Sequence, residues 1–163
     1  MKGWPAVFTG IVLLWLAAVL EQGLADRMAV FGVAPNFLLV VLGPMALLSR
    51  PSVGGTMGFF AGLIQGALAG ANLTHYVISR ALAGFLTSLG NQLEIRLALV
   101  VAGLACAATT FIAQVLLMFL APPSGSLIAY LFGSLGMALY NGLLAIPLYS
   151  LLRRWFGPTI VLP

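Results

Sequence analysis

Read along its length, the chain is a succession of long apolar runs separated by very short polar breaks. A helix needs about 20 apolar residues to cross the hydrocarbon core of a membrane. Six segments reach that length, approximately residues 5–24, 29–49, 53–71, 73–92, 97–120 and 127–152. The pattern predicts an all-α membrane protein of six transmembrane helices, folded as a single integral membrane domain over residues 1–163. The second run is the least regular, because Pro35-Asn36 interrupts its start and Gly43-Pro44 its middle. Residues 53–92 must be divided at "GANL", since an undivided helix would be twice the length of a span. The opening "AVFTGIVLLWLAAVL" could be read as a cleaved leader, but the "EQGLADRM" after it lacks a small-x-small cleavage site, so it is taken as a retained span.

Orientation follows from the basic residues. With the N-terminus inside, Lys2, Arg50, Arg96, Arg153 and Arg154 fall at cytoplasmic ends, and Arg27 alone falls outside, beside Glu21 and Asp26. Both termini are therefore expected in the cytoplasm, with Trp4 and Trp155 at the interfaces. Composition agrees: 62% of residues are hydrophobic, 6% are charged, and the mean hydropathy is +1.14. Soluble domains carry about 25% charge, so the solvent here is lipid. The net charge of +4 comes from scattered residues, with no basic block carrying interleaved aromatics, and nucleic acid is not an expected partner.

One run carries an unusual signature. In "GGTMGFFAGLIQGALAG" glycine recurs at every fourth position, Gly54, Gly58, Gly62, Gly66 and Gly70. Glycine costs roughly 1 kcal/mol against alanine in a helix interior, so the row needs a reason. In membranes, small residues at this spacing let helix backbones approach closely. Because the row drifts around the helix, it predicts a groove crossed steeply by another helix and a central place for the third span. The crossing helix is expected to be internal, the alternative being a partner's transmembrane helix.

Polar groups inside the spans are few. Gln65, Gln114 and Asn141 read as interhelical hydrogen-bonding groups in preference to a solute pocket, since no carboxylate or aromatic cluster shares their helix faces. Arg80 is the one charge within a span. Two turns from the outer end of its helix, it is expected to snorkel outward or to pair with Glu21 or Asp26. His75 reads as a solvated interfacial imidazole, and Thr109-Thr110 as hydroxyls bonded to their own helix. Cys106 is the single cysteine, without a partner for a disulfide or a metal. No acid lies deep in a span, and no HExxH, GxSxG or phosphate-loop motif occurs. Neither an enzyme nor a cofactor or metal site is expected.

The order of these features resembles the MreD family, multi-pass membrane proteins of the bacterial rod-shape system. That family opens its second span with Pro followed by Asp or Asn before a Leu-rich run, here "PNFLLVVL" from Pro35. Its third span carries Gly-Phe-x-x-Gly-x-x-x-Asp, here "GFFAGLIQG" from Gly58. Its last span carries an Asn-small-Leu stretch and a proline before a basic end, here "YNGLLAIPLYSLLRRW" from Tyr140. Two positions depart: Gly66 stands at the usual Asp, with Gln65 beside it, and Thr74 replaces a glycine. The resemblance implies a non-enzymatic role in cell elongation and peptidoglycan synthesis at the bacterial inner membrane. The implied partner is an MreC-like bitopic protein, with RodA, PBP2 and MreB-type components beyond it and lipid around it. It also implies a fold similar to the substrate-binding S component of ECF vitamin transporters, and such a transporter subunit is the rival reading.

Overall fold

A computed structural model of the chain describes residues 4–70, 72–90 and 98–156. They form six α-helices: α1 (Trp4–Leu24), α2 (Phe37–Leu47), α3 (Pro51–Ala69), α4 (Leu73–Leu89), α5 (Ala98–Leu120) and α6 (Leu127–Phe156), with a one-turn 3-10 helix at Asp26–Met28. Among the described residues, three helices are long and apolar enough to cross a membrane on length and composition, within Pro51–Ala69, Leu99–Leu120 and Leu127–Arg154. Lys2 and Arg96, used in the orientation argument, lie outside the described residues.

The second run is where the hydropathy pattern misleads most. Residues 29–36 are not helical. Val30 and Val33 exchange both backbone hydrogen bonds at 3.0 Å across a tight turn, with Phe31 and Gly32 in the left-handed region at φ 52° and 79°. The helix begins only after Asn36, whose side chain accepts from the Leu39 N–H at 3.0 Å. Asn is a preferred N-cap, and the residue before a proline avoids the helical region. Pro35-Asn36 is therefore a start signal inside an apolar run. At 11 residues α2 is about 16 Å long, roughly half the hydrocarbon thickness.

That short helix is the centre of the molecule. Every residue from Leu38 to Ala46 is buried, and α2 contacts all five other helices. A helix that is apolar on every side belongs in an interior. Leu38, Leu39, Leu42 and Met45 meet Leu14 and Ala17 of α1 and Met57 and Ala61 of α3 in the main apolar core. The expectation that the third span is central is thus corrected in favour of α2.

The glycine row lies against α4, the next helix in the chain, and the two run antiparallel. A Cβ added at Gly62 would sit 2.5 Å from the Val77 Cα, at Gly66 2.9 Å from the Leu73 Cα, and at Gly54 2.7 Å from the Gly84 carbonyl oxygen. One at Gly58 would strike the Arg80 carbonyl. The approach is tight from Gly54 to Gly66, so the steep single-point crossing is corrected to a close hairpin. Gly84 makes this possible from the other side, because its own Cβ would strike the Gly54 backbone. Gly70 is in the row by spacing only. Nothing stands near it; it ends α3 in the left-handed conformation, φ 66°, where glycine is favoured. A second backbone approach joins α5 to α6, where a Cβ on Gly103 would lie 3.1 Å from the Gly142 carbonyl oxygen.

Candidate functional site

Polar side chains from three helices and a backbone carbonyl from a fourth meet at the end of the bundle where α3 gives way to α4. Arg80, on α4, is 1% exposed. Its Nε donates to the Gln65 Oε1 of α3 at 2.8 Å. Its Nη1 donates to the Ser79 Oγ at 2.8 Å and to the Ala113 carbonyl of α5 at 3.4 Å. The guanidinium also lies 4.6 Å from the centre of the Tyr76 ring, one helical turn away, in cation–π contact. Arg80 therefore does not snorkel to solvent. Water is replaced by an amide, a hydroxyl, a carbonyl and a ring face.

Glu21 is the carboxylate that this charge feels. It interacts electrostatically with Arg80, and the Gln65 side chain reaches it as well. Its Oε2 accepts from the Leu38 N–H at 3.4 Å, which places a negative group at the N-terminus of α2. Gln65 thus stands between an arginine and a glutamate. Asp26, the other acid considered for Arg80, is exposed in the 3-10 turn and takes no part. Gly66 has no room for a carboxylate, since its Cβ would already meet Leu73. The polar work of this turn of α3 falls to its neighbour Gln65.

A second buried cluster ties α2 to α5 and α6. The Asn36 N–H donates to the Asn141 Oδ1 at 2.9 Å, and the Asn141 Nδ2 donates to the Thr110 Oγ1 at 3.1 Å. Cys106 contacts the Leu39 and Asn141 carbonyls through its thiol at 3.5 Å. Asn36, Thr110, Cys106 and Asn141 are all buried, and Pro35 is buried beside them. Asn141 thereby satisfies a backbone donor that no helix can satisfy at the start of α2. Beside it on α6, the Tyr140 hydroxyl donates to the Met28 carbonyl at 2.8 Å.

A cavity of about 240 Å³ opens between α5, α6 and the turn before α2. Gln114, Tyr130 and Ser134 supply its polar wall, and Gly32, Val33 and Ala34 its rim. The Tyr130 hydroxyl donates to the Gln114 carbonyl and Oε1, each at 3.1 Å, and the Gln114 Nε2 donates to the Met137 Sδ at 3.2 Å. Two larger apolar grooves, about 390 and 400 Å³, flank α5 on its α4 and α6 sides. Among the described residues no group of three or more His, Cys, Asp or Glu side chains is placed to hold a metal.

The amides Gln65, Gln114 and Asn141 all bond between helices or to a neighbouring side chain, as expected of interhelical glue. The acid and the rings found beside them come from other helices, which is why a search along each helix face misses them. Tyr76 is the exception, one turn from Arg80 and findable from that spacing. His75 is half-buried, with Nδ1 enclosed and lacking a hydrogen-bond partner among the described residues. No family model matches the chain, and no curated protein or solved structure does either.

Proposed function

We propose that this chain is an MreD-like, non-enzymatic scaffold of a bacterial inner membrane. On this reading it crosses the membrane six times with both termini in the cytoplasm and binds an MreC-like bitopic protein. Through that partner it supports RodA- and PBP2-type synthases and MreB-type filaments in lateral wall growth. The observation that carries the reading is the Asn36–Asn141 hydrogen bond. The Pro-Asn motif and the Asn-Gly-Leu motif, two of the features that carry the family resemblance, stand 105 residues apart. In the fold they meet at one buried junction, so they behave as one structural unit. The apolar grooves beside α5 suit an apolar helical partner better than a soluble substrate.

The test is affinity purification of the tagged full chain from native membranes. The scaffold reading expects an MreC-like single-span protein to come down with it. Recovery of an ATPase-bearing energising module instead would replace this reading with that of a transporter subunit.

A further inference from the structure

The cavity beside Tyr130 has features that partner binding does not call for. In an apolar molecule its wall carries an amide, a phenol and a hydroxyl, and Gln114 and Ser134 are 8% and 5% exposed. Gly133 also lines it, and a Cβ built there meets nothing within 4 Å. The space is held open by a missing side chain. The turn that forms the rim includes Phe31, a non-glycine residue in the left-handed region with its side chain fully exposed. Strain of that kind concentrates at sites with a role.

We infer that this cavity is a binding site for a small, uncharged, hydrogen-bonding solute such as a flat amide. Size sets the first limit: about 240 Å³ is just under the range of ordinary small-molecule pockets. Charge sets the second. The side chains in the wall are neutral. Arg80 lies behind them, near enough to interact with Tyr130, but its Nε and Nη1 are engaged by Gln65, Ser79 and Ala113, and its guanidinium lies over the Tyr76 ring. An anion in the cavity would be desolvated without a free cation to meet it, whereas an amide can both donate and accept. Beyond the bonds they make with one another and with Met137, the Gln114 amide keeps a second N–H, and the Tyr130 and Ser134 oxygens keep acceptor lone pairs.

Benzamide and benzoate have the same shape and differ in charge, which makes them suitable probes. The measurement is thermal unfolding of the detergent-purified full chain with each compound. Benzamide should raise the melting temperature in proportion to the logarithm of its concentration, and benzoate should not. Gly133→Leu puts its bulk into the cavity and its Cβ meets no neighbour, so the variant should fold normally and lose the benzamide shift. Should it fail to fold, Ser134→Ala serves, with a reduced shift expected. No shift with benzamide, an equal shift with benzoate, or a shift that persists in the variant that folds would each overturn the inference. The site does not depend on the identity of the partner protein, so this experiment and the affinity purification fail separately.

Discussion

Arg80 has no water to turn to once the bundle is assembled, and its neighbours take water's place. Removing one member of a buried charged network leaves the others uncompensated, at a cost of about 3 kcal/mol or more. Arg80→Leu should therefore lower the melting temperature sharply. Arg80→Lys should rescue only part of the loss, because an ammonium cannot reproduce a fork that reaches Gln65, Ser79 and Ala113 together. The coupling to Glu21 is separately testable. With the arginine gone, the carboxylate is left without its cation, so Glu21→Gln should cost less in the Arg80→Leu background than in the native chain. Additive losses in a double-mutant cycle would show that the two do not communicate. That Arg80 matters was legible in the sequence, since a charge in a span is conspicuous. Its direction was not. Side-chain lean along one helix pointed it outward, while Gln65, Ala113 and Glu21, from three other helices, hold it in.

At the scale of the element, the glycine row can be separated from mere glycine content by comparing adjacent positions. Gly54, Gly58 and Gly62 each press on the α4 backbone, whereas a Cβ on Gly55 would meet Phe85 at an ordinary 3.6 Å. Gly54→Ala, Gly58→Ala and Gly62→Ala should each destabilise by about 1–3 kcal/mol, as overpacked contacts do. Gly55→Ala should be neutral or stabilising, since alanine is the better helix former by roughly 1 kcal/mol. The readout is melting temperature and monodispersity in detergent, and equal effects at Gly54 and Gly55 would contradict the hairpin. The four-residue spacing made a helix contact legible. It could not name the partner, because Gly84, the reciprocal residue on α4, stands alone in its own sequence. The same limit explains α2: hydropathy registers residues 29–36 as apolar, and only the capping chemistry of Pro35-Asn36 says that the helix has not yet begun.

At the scale of the whole molecule, the interior is more polar than much of the surface. Arg80, Asn141, Thr109, Thr110 and Ser79 are fully buried, while Phe8, Trp15, Val19, Phe119, Phe132 and Leu143 are more than half exposed. This inversion is expected where the surrounding medium is hydrocarbon and polar groups must find partners inside. The ends of α1, α3 and α5 and the starts of α4 and α6 also share one end of the bundle, joined through Glu21, Gln65, Ala113, Tyr76 and the interaction of Tyr130 with Arg80. These are the ends that the basic-residue bias assigns to the outer face. Two fully or openly exposed positions on that side, Phe31 and Gly125, accept a reporter without disturbing a contact. Arg154, exposed near the end of α6, reports on the opposite side. Buried Cys106 gives little background. An impermeant thiol reagent, given access through any outer membrane, should label Phe31→Cys and Gly125→Cys in intact cells and spare Arg154→Cys until the cells are opened. The opposite pattern would invert the molecule. Labelling of only one of Phe31→Cys and Gly125→Cys would put the two loops on different sides and end the six-span arrangement, because an even number of crossings separates them in that fold.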